Sequence, residues 1–600
     1  MPVSIKRVGS ALAVTIKGVP DFKETLDKVK SIPGRRWNGD AKVWELPDEP
    51  DTLMMAAEIL RPQLSAELQK ELQGAAEAIA DDLVTRAGAD AELMVPWASE
   101  LWPFQRAGVD FGVTHPGYIN ADDMGLGKTL QSITTVEEFH MRRVSEATGV
   151  KDLTAEVGDD TYRNGPVLVI CPNTLRKNWE REITEGPNPE FFNTALWPRL
   201  GATIIDGTPA KREAAVKEAV ARNDYLIVNW EKLRRMPELM KVEWAGVIAD
   251  EAHRAKNRKS KQSEAMRKLK APVKISATGT PIMNSPDELW PLLNWIDRGN
   301  YGSYWRFFNM YVESYEGYRG SKVITGVRNA DKLRFELRDK LIRRTKTQVL
   351  EDFPEKLPEQ VIEIDMLPPQ KRAYEAAQNE FLLNVEEAMR DPEVSNATKR
   401  SVLAALQAGD IEQIGREIPN AAARMSYMRQ IATSPALLAD EDGQFFEDTS
   451  SKLDAAEEKI TDHPGKPFVV ACWHKRAAEV LCDRLTADGV SCAYLHGDVS
   501  PDERAKRVDD FQNGELDVLV CTIAVGGVGI TLTRADTILF IEEDWVPANN
   551  RQMEDRLYRI GQKNNVSVIK YRSNNTVDTL DIAPANRLKE LIESAVYGEE

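Results

Sequence analysis

Short apolar, mostly β-branched runs alternate with helical patterns from about residue 100 onward, and this alternation constrains the fold more than any other feature. The runs are three to five residues long and apolar almost throughout, as expected for strands buried on both faces of a parallel sheet. Strands alternating with helices predict an α/β fold with parallel sheets. The predicted strands are Val167–Cys171, Tyr225–Asn229, Val247–Ala249, Phe468–Ala471, Val518–Cys521 and Ile538–Ile541.

The strand-like runs form two clusters, at residues 100–280 and 465–570, and the chain between them has helical spacing at Arg372–Met389 and Lys399–Ala408. A chain of 600 residues has room for roughly four structural units. We therefore predict two parallel-sheet lobes with helical insertions and a small N-terminal α+β module. The predicted domains are the N-terminal module at 1–70, a helical linker at 71–97, lobe one at 98–285, helical protrusions and an inter-lobe linker at 286–460, and lobe two with a C-terminal brace at 461–600.

The N-terminus and the composition exclude several classes of protein. Lys6 and Arg7 precede an apolar stretch that Lys17 ends after nine residues, so a hairpin of Val3–Val8 and Ala11–Ile16 is favoured over a signal peptide. No run approaches 18 apolar residues, which predicts that the chain does not cross a membrane. The five cysteines contain no C-x-x-C pair, which argues against a disulfide framework or a zinc site. We expect a cytoplasmic protein, and the compact layout suggests a bacterial or phage origin; only a eukaryotic origin would make the protein nuclear.

A glycine-rich string, Ala121-Asp-Asp-Met-Gly-Leu-Gly-Lys128-Thr129, follows the apolar run Gly117–Asn120 and precedes a helical pattern. Such a turn directs backbone N–H groups at phosphates, at the positive end of a helix dipole. Lys128 would then reach the β/γ-phosphates, and the Thr129 hydroxyl could hold Mg²⁺. The strict motif has glycine where this chain has Asp122. The residues predicted to bind ATP here are Asp123, Met124, Gly125, Leu126, Gly127, Lys128 and Thr129.

Asp250 and Glu251 follow the strand-like run Val247–Ala249. A carboxylate at a strand end can hold Mg²⁺, and a second one beside it can orient or deprotonate an attacking water. The alternative is an ordinary acidic start of a helix. The phosphate loop upstream favours the first interpretation, with Asp250 as the metal ligand and Glu251 as the general base.

Arg556 and Arg559 stand three positions apart, which predicts that they share one face of a helix. A guanidinium group that reaches a nucleotide stabilises the charge of the transferred phosphoryl group. Arginines on a solvated helix are the alternative. Because the second cluster of strands has no phosphate loop of its own, we predict that it supplies these two arginines as catalytic groups.

The charge distribution bears on nucleic-acid binding. Lys plus Arg is 78 and Asp plus Glu is 95, so the net charge of −17 argues against a nucleic-acid-binding protein. The stretch from Arg254 to Lys274, however, has nine Lys and Arg against one Glu. A basic run is usually a solvated face, but this one directly follows the two predicted catalytic carboxylates. Its position favours contact with the phosphates of a nucleic acid.

The ordered set of motifs resembles helicase superfamily two, and in particular its Swi/Snf-type branch of DNA-translocating ATPases. The resemblance covers about residues 98–580, in the order of the family. It rests on the strings Ala-Asp-Asp-Met-Gly-Leu-Gly-Lys-Thr-Leu-Gln (121–131), Asp-Glu-Ala-His-Arg-Ala-Lys-Asn (250–257), Thr-Gly-Thr-Pro-Ile-Met-Asn (278–284), Arg-Arg-Thr-Lys (343–346), Leu-His-Gly (495–497) and Arg-Leu-Tyr-Arg-Ile-Gly-Gln (556–562).

The resemblance implies two RecA-like lobes that close on ATP and Mg²⁺, with double-stranded DNA lying across both lobes. Gln105 matches the glutamine with which the family binds adenine. Residues 276–280 match the segment that links hydrolysis to DNA movement, although the family more often has leucine where this chain has Ala277. Gly527 and Gly529 match a motif of lobe two near the nucleotide and the DNA.

The resemblance also implies contacts to the DNA backbone, which give affinity without sequence readout. The predicted contact residues after the strand at Cys171 are Asn173, Thr174 and Lys177, with Trp179 at the same family position. Those after the catalytic carboxylates are Arg254, Lys256 and Asn257.

The segment Ile32–Pro47 resembles the small domain that precedes the motor in annealing helicases of the HepA-related (HARP) type. One interpretation is a two-stranded ribbon that turns at Asn38-Gly39, with Trp37 and Trp44 in a small core. The other is that exposed aromatic surface and the neighbouring arginines bind branched or single-stranded DNA by stacking and charge.

Three functions remain open at this point. The leading hypothesis is an ATP-driven double-stranded-DNA translocase that remodels forks or anneals strands, as in replication or repair. The second is a helicase that separates strands of DNA or RNA. The third is a DNA-binding scaffold with an inactive ATPase, but Lys128, Asp250, Glu251 and Arg559 are all present.

Overall fold

The computed structural model places the predicted strands and helices in an N-terminal module, two α/β lobes and the segments that join them. The structure describes residues 3–9, 11–18, 22–32, 34–48, 52–53, 56–57, 60, 62–65, 67–70, 90–150, 163, 165–187, 192–193, 197, 200–316, 322–350, 353–390, 419–439, 443–527 and 529–597.

The N-terminal module is a small mixed sheet with one helix. Its strands are β1 Val3–Val8, β2 Ala11–Ile16, β3 Arg36–Asn38, β4 Val43–Pro47 and β5 Gln63–Leu64, and its helix is α1 Phe22–Ser31. The strand order is β3-β4-β2-β1-β5. Strands β1 and β2 pair antiparallel, from Val3 opposite Ile16 to Val8 opposite Ala11, which confirms the predicted hairpin. Ile5, Leu12 and Val14 project from these strands into the core, as alternation along a half-buried strand requires.

The second ribbon of this module differs from the expectation. Trp37 pairs with Trp44 across β3 and β4, and the two ring centroids are 5.3 Å apart. The turn spans residues 39–42 rather than two residues, because Asn38 Oδ1 accepts the backbone N–H groups of Asp40 and Ala41 and so closes a longer loop. Trp37 is 49% exposed, so of the two interpretations the one that places both tryptophans in a small core does not hold for this residue.

Lobe one is built on a seven-stranded, fully parallel sheet with the order β14-β6-β11-β10-β7-β9-β8. Its strands are β6 Gly117–Asn120, β7 Val167–Cys171, β8 Ala202–Ile204, β9 Tyr225–Asn229, β10 Gly246–Asp250, β11 Val273–Ala277 and β14 Leu341–Ile342. The helices up to β11 are α2 Pro103–Thr114, α3 Lys128–Thr148, α4 Arg176–Thr184, α5 Pro209–Arg222, α6 Trp230–Leu233 and α7 Lys261–Met266.

The two faces of this sheet pack into two separate cores. Val167 and Val169 lie in one hydrophobic cluster, whereas Leu168 and Ile170 lie in the other. Alternate residues of a strand point to opposite faces, so a strand covered by helices on both sides must be apolar at every position. This explains why the strands were visible in the sequence as continuous apolar runs.

The segment between the lobes contributes strands as well as helices. It contains α8 Trp290–Ile296, α9 Tyr304–Tyr311, the antiparallel hairpin β12 Val312–Glu316 and β13 Lys322–Val327, α10 Ala330–Leu337, α11 Lys346–Val349, α12 Pro368–Arg390 and α13 Pro419–Thr433. β14 lies within the predicted linker at 286–460 but pairs with β6 of lobe one. The strand Gln360–Ile364 (β15) lies in the same predicted segment but pairs with lobe two. β14 has only two residues, and β15 is an exposed edge strand that contains Gln and Glu, so neither produces a continuous apolar run.

Lobe two has a six-stranded, fully parallel sheet with the order β15-β20-β19-β16-β18-β17. Its further strands are β16 Phe468–Cys472, β17 Cys492–Leu495, β18 Val518–Thr522, β19 Thr537–Phe540 and β20 Ser567–Ser573. Its helices are α14 Ser451–Thr461, α15 Lys475–Ala487, α16 Pro501–Asn513, α17 Ile523–Gly526, α18 Pro547–Glu554 and α19 Ala583–Tyr597. The predicted fold class, two parallel α/β lobes with a small α+β module, is confirmed.

The last helix, α19, follows lobe two in the chain but packs on lobe one. Ile592 and Val596 belong to the same hydrophobic cluster as Leu333 of α10. Glu593 is ion-paired with Arg551 of α18 and lies 3.7 Å from Arg343. The helix therefore joins the two lobes a second time, in addition to the linker between them.

Two of the predicted helical segments lie wholly or mostly outside the described residues. These are Lys399–Ala408 and the linker at 71–97, of which residues 90–97 are described and are not helical. The predicted helix at Arg372–Met389 is found within α12. Among the helices that the structure describes, none is both long enough and apolar enough to span a membrane.

Candidate nucleotide-binding site between the lobes

The phosphate loop connects β6 to α3 and contains two glycines in the left-handed region. Gly125 has φ 88° and Gly127 has φ 78°. Glycine adopts this conformation freely, whereas a residue with a side chain is strained in it. A Cβ at Gly127 would lie 2.5 Å from Gln105 Nε2, so a larger residue would also clash. The loop thus leads into the N-terminus of α3, where free backbone N–H groups favour an anion.

Gln105 lies directly against this loop. Its Oε1 accepts the backbone N–H of Trp102 at 3.1 Å, and its Nε2 donates to the Leu126 carbonyl at 3.3 Å. The residue is buried at the start of α2, and Leu126 packs with Phe104 beneath it. The structure thus places the predicted adenine-binding residue beside the loop; its role stays a prediction.

Lys128 is folded back onto the loop that it follows. Its Nζ donates to the backbone carbonyls of Asp122 at 2.7 Å and Asp123 at 3.0 Å. Burial lowers the pKa of Lys128, although Glu251 and the loop carboxylates oppose that shift. Thr129 is the next residue, in the first turn of α3. The ammonium group therefore sits among acceptors that a phosphate could replace.

Asp250 ends β10 and is held by two donors. Trp179 Nε1 donates to Asp250 Oδ2 at 2.9 Å, and the backbone N–H of Glu251 donates to Oδ1 at 3.0 Å. Trp179 is 1% exposed, so the expectation that it contacts DNA is wrong; its neighbour in space is the carboxylate. Burial, with the charge of Glu251 next to it, raises the pKa of Asp250.

Glu251 adopts φ 50°, which is unusual for a residue with a side chain. Its Oε2 is buried 3.2 Å from His253 Nδ1, and it accepts no hydrogen bond from the described part of the chain. Burial raises the pKa of Glu251, but His253 and Lys128 outweigh that effect and the net shift is downward. The side chain is thus ionised at neutral pH and has an unused acceptor.

The donor set fits a hard divalent cation. Asp250 and Thr129 offer a carboxylate and a hydroxyl oxygen, and the raised pKa of Asp250 reflects a buried site whose negative charge is not fully compensated. Across the described residues no group of three or more His, Cys, Asp or Glu could form a complete metal cage. Mg²⁺ typically binds one or two protein oxygens together with substrate phosphates, so this sparse set suits Mg²⁺ delivered with a nucleotide.

Asp122, the residue that replaces glycine in the strict motif, makes a buried ion pair. Arg344 Nε donates to Asp122 Oδ1 at 3.0 Å, and Arg344 Nη2 donates to Oδ2 at 2.5 Å. Arg344 Nη2 also donates to Gln131 Oε1 at 2.9 Å. Side chains of Asp122 and Arg344 are almost completely buried. The carboxylate therefore anchors the base of the loop to the inter-lobe linker, a contact that sequence reasoning did not find.

Arg556 and Arg559 of lobe two face the phosphate loop of lobe one. Arg556 Nη2 donates to the Gly527 carbonyl at 2.6 Å and lies 3.6 Å from Met124 Sδ. Arg559 Cγ lies 3.5 Å from the position that a Cβ would take at Gly125. Burial, aided by the charge of Arg559, lowers the pKa of Arg556 to about 10, so both arginines are cationic at neutral pH.

The prediction that these arginines share one face of a helix is wrong. α18 ends at Glu554, and both residues lie in the turns that follow it. Arg556 Nε donates to the Gln552 carbonyl at 3.2 Å, and the Arg556 amide bonds instead to the Met553 carbonyl. The side chain thus takes the acceptor that the next turn of helix would need.

The other motif segments lie beside these groups. His253 Nδ1 is 3.0 Å from Thr278 Oγ1, at the end of β11, so the segment 276–280 contacts the residue next to Glu251. In lobe two, a Cβ at Gly529 would lie 3.1 Å from Leu175 of lobe one. These contacts place the segment 276–280 and Gly529 at the boundary between the two lobes. The roles of both motifs stay predictions.

The residues predicted to bind DNA lie at the carboxyl ends of two neighbouring strands, β7 and β10. Those after β7 are exposed: Asn173, Thr174 and Lys177. Of those after β10, Asn257 and Arg254 are exposed, whereas Lys256 is partly buried 3.3 Å from Glu288. Arg254 lies 3.6 Å from Glu231. The structure places the six on one edge of lobe one.

Comparison with known protein families identifies the chain at this point. The SNF2-related domain matches residues 61–414, and the helicase conserved C-terminal domain matches residues 451–561. The chain belongs to the SNF2-related family. The resemblance to Swi/Snf-type helicase-like ATPases is confirmed: the first match contains all strands of lobe one, and the second contains β16 to β19 of lobe two.

Curated relatives are identical to the chain at 27–28% of the aligned positions, and the alignments cover most of its length. TATA-binding protein-associated factor mot1 of Schizosaccharomyces pombe is 28% identical over 79% of this chain and 25% of its own length. Human TATA-binding protein-associated factor 172 is 28% identical over 85% of this chain and 28% of its own. Human chromodomain-helicase-DNA-binding protein 6 is 27% identical over 77% of this chain and 16% of its own. The chain thus spans less than a third of the relatives that it matches.

Solved structures are also similar to the chain. The SWI2/SNF2 ATPase core of Sulfolobus solfataricus in complex with double-stranded DNA has 24% sequence identity and a TM-score of 0.35, and the match covers 83% of this chain and 96% of that one. The same core without DNA has 25% identity and a TM-score of 0.34 over 80% and 86% of the two chains.

These relatives correct the expectation about location. The compact layout suggested a cytoplasmic protein of bacterial or phage origin. The curated relatives are instead TATA-binding protein-associated factors and a chromodomain helicase of fungi, a plant and mammals. Compactness of layout is a weak guide to origin, because the same motor unit occurs within much longer chains.

Proposed function

We propose that the protein is a DNA-dependent ATPase that moves along double-stranded DNA. The observation that carries the proposal is the meeting of two half-sites around Gly125. Lobe one supplies the phosphate loop and two carboxylates, and lobe two places Arg559 3.5 Å from the position of a Cβ at that glycine. Nucleotide hydrolysis that needs both lobes couples the reaction to their closure.

Each residue of the site has a role that its geometry supports. Lys128 would exchange its carbonyl partners for phosphate oxygens, and Thr129 and Asp250 would hold Mg²⁺, which would supply charge neutralisation at the phosphates. Glu251 Oε2, ionised and without a hydrogen bond among the described residues, accepts a hydrogen bond from the attacking water. Arg556 and Arg559 stabilise the charge that develops on the transferred phosphoryl group.

Binding to duplex DNA is supported by the charged edge beside this site. Lys177 and Arg254 are exposed at the carboxyl ends of adjacent strands, next to the catalytic carboxylates. Contacts to phosphates alone suit a motor that must bind all sequences equally. Each phosphate contact removed should reduce the salt dependence of DNA binding by about one in the log–log slope.

Two substrates are candidates for a motor that moves along DNA: a protein bound to duplex DNA, and branched DNA. Relatives named TATA-binding protein-associated factors favour a protein bound to duplex DNA, which the motor would remodel or displace. The half-exposed Trp37 favours branched DNA, as in repair, because an exposed aromatic side chain can stack on an unpaired base. The first candidate has the broader support, since the relatives cover most of the chain.

The proposal is tested by the steady-state ATPase rate without nucleic acid and with single-stranded DNA, blunt duplex or a model fork. We expect strong stimulation by duplex, and an additional preference for the fork only if the N-terminal module binds branched DNA. Stimulation by single strands alone would contradict duplex translocation and favour a strand-separating helicase. Absence of hydrolysis on every substrate would favour an inactive scaffold.

Two variants, each with a matched control, test whether hydrolysis and DNA binding depend on the proposed residues. Glu251→Gln should still bind ATP and DNA but lose turnover by about 10²–10⁴-fold, because the water loses its acceptor. Glu213→Gln alters an exposed carboxylate paired with Lys217 on α5 and should leave turnover unchanged. Lys177→Ala should lower the salt slope of duplex binding, whereas Lys217→Ala should not. Retained hydrolysis in Glu251→Gln would refute the base assignment.

A further inference from the structure

Lys346 is the last residue of the Arg343-Arg-Thr-Lys346 string, to which neither the sequence motifs nor the nucleotide chemistry assign a role. Its side chain is 1% exposed. Its Nζ is ion-paired with Asp555 of lobe two and lies 4.9 Å from the centre of the Tyr558 ring. The ammonium group of this linker residue thus lies at the turn of lobe two that carries Arg556 and Arg559.

The same residue also contacts the phosphate loop of lobe one. Its backbone N–H donates to Asp123 Oδ2 at 3.1 Å. Its Cε lies 3.9 Å from the position that a Cβ would take at Gly125, which is also the position nearest Arg559. Lys346 therefore touches both half-sites at the point where they meet.

The neighbours of Lys346 fix its backbone to lobe one. Arg344 is bound to Asp122 at the base of the loop. Arg343 Nη1 donates to the Gly279 carbonyl at 3.3 Å, beside the segment that contacts His253. Because the preceding residues are anchored in this way, the Lys346 side chain projects from a fixed base towards lobe two.

We propose that Lys346 is a positioning residue that ties Asp123 of the phosphate loop to Asp555 of lobe two and thereby sets the approach of Arg556 and Arg559 to the loop. The inference rests on the proposed ATPase. It adds a specific device by which closure of the lobes and alignment of the arginines are coupled.

Charge explains why this position needs a cation. Burial raises the pKa of Asp123, the charge of Lys346 opposes that shift, and the charge of Asp555 adds to it. The two carboxylates therefore both contact Lys346, Asp123 at its backbone N–H and Asp555 at its ammonium group. A neutral side chain of the same length would leave these like charges to repel each other, and the turn with the arginines would move away from the loop.

The first test is hydrogen–deuterium exchange on the full chain without nucleotide. Lys346→Met should raise exchange of the amides in 554–562 by about tenfold, because the ion pair with Asp555 is lost, and should also raise exchange in 124–128, because the charge of Asp123 is then no longer offset by the ammonium group. The matched control is Lys356→Met. Lys356 Nζ lies 2.5 Å from Glu554 Oε2, next to Asp555, so its loss should raise exchange in 554–562 alone.

The second test is duplex-stimulated ATPase activity of the same variants. Lys346→Met should lower kcat by about 10–100-fold and change KM for ATP by less than about threefold, as expected for a defect in the transition state. Lys346→Arg keeps the charge and should restore most of kcat. Asp555→Asn should also lower kcat, and the double variant should be no worse than Lys346→Met, because the two residues act through one contact.

The proposal is overturned if Lys346→Met keeps the wild-type kcat, if the losses of the two single variants multiply in the double variant, or if Lys356→Met affects both segments equally. If Lys346→Met does not fold, Lys346→Arg and Asp555→Asn still decide the question through the same two measurements. Failure of the wild-type protein to hydrolyse ATP on any DNA would refute the proposed function instead, while the exchange experiment would still test the tie between the lobes.

Discussion

Both lobes bury a carboxylate at the carboxyl end of a central parallel strand, but the two carboxylates have opposite surroundings. In lobe two, Glu542 follows β19 and accepts the backbone N–H groups of Trp473 and His474, both at 2.8 Å. It also accepts the Thr433 hydroxyl at 2.9 Å and lies 2.6 Å from His474 Nδ1. In lobe one, the Asp250 carboxylate has two donors among the described residues, the Trp179 indole and the neighbouring backbone amide of Glu251.

The pKa values follow this difference. Burial raises the pKa of both groups. In Asp250 the adjacent Glu251 adds to the rise, whereas in Glu542 the His474 imidazole and Arg429 outweigh burial and hold the pKa well below its usual range. A fully bonded buried carboxylate stabilises a fold, and an incompletely bonded one is available for chemistry. The two lobes share one architecture, but the buried carboxylate of lobe two stabilises the fold and that of lobe one is available for chemistry.

The largest expected effect tests whether lobe two takes part in the reaction through its arginines. Arg559→Ala should lower kcat by about 10³-fold and leave ATP affinity nearly unchanged, because the guanidinium acts on charge that develops in the transition state. Steady-state kinetics and equilibrium nucleotide binding would measure the two quantities. A change in KM alone would show that Arg559 only binds ATP.

Glu542→Gln should destabilise the protein by about 3 kcal/mol at pH 7, because Arg429 would lose a buried counter-charge and the donors around residue 542 would lose a charged acceptor. A folded-state pKa below the ordinary value of glutamate means that this stabilisation is present above that value and is lost as the pH falls. Urea denaturation at pH 7 and at about pH 4 should therefore show a smaller difference from wild type at the lower pH. An equal difference at both values would contradict the role of the charge.

Trp179→Phe should lower kcat by about tenfold, since Asp250 would lose a hydrogen bond to its ionised form. Because that bond lowers the pKa of Asp250, its loss should move the acidic limb of the pH–rate profile to higher pH. Trp230→Phe is a matched control, because the Trp230 indole donates to the Asp250 backbone carbonyl and not to the carboxylate. Similar profiles for the two variants would reject the assignment.

The smallest expected effect is a gain in stability, opposite in sign to the loss expected for Glu542→Gln. Asp250→Asn should stabilise the nucleotide-free protein at pH 8 by about 1 kcal/mol, or about 2–4 °C in Tm. With a raised pKa the native state binds more protons than the unfolded state, so stability falls as the pH rises above the ordinary value of aspartate. The gain should vanish near pH 4, and thermal unfolding at the two pH values would show it. A loss of stability at pH 8 would show that Asp250 stabilises the fold as Glu542 does, and would contradict the difference between the two lobes.

The local features of the fold could be predicted from the sequence. Strands such as Val167–Cys171 and Val518–Thr522 are buried on both faces, which leaves a continuous apolar run that needs no knowledge of the neighbours. The phosphate loop and the Asp250-Glu251 pair are also contiguous. Their positions at the carboxyl ends of strands follow from the parallel arrangement alone.

Contacts between distant parts of the chain could not be predicted. Trp179 and Asp250 are 71 positions apart, and Arg344 and Asp122 are 222 positions apart. A tryptophan that donates one hydrogen bond to a buried carboxylate has no pattern that distinguishes it from a core or DNA-contacting tryptophan. The end of α18 was missed for a related reason, since it depends on which acceptor the Arg556 side chain takes.

The helix α19 gives the molecule a mechanical property. The lobes are joined once through the linker that contains residues 343–346, and again through α19, whose Ile592 and Val596 pack in a core of lobe one while Glu593 is ion-paired with Arg551 of lobe two. Two connections at separate places restrict the relative rotations of two bodies more than one connection does. An enzyme built in this way has fewer paths by which its lobes can approach each other.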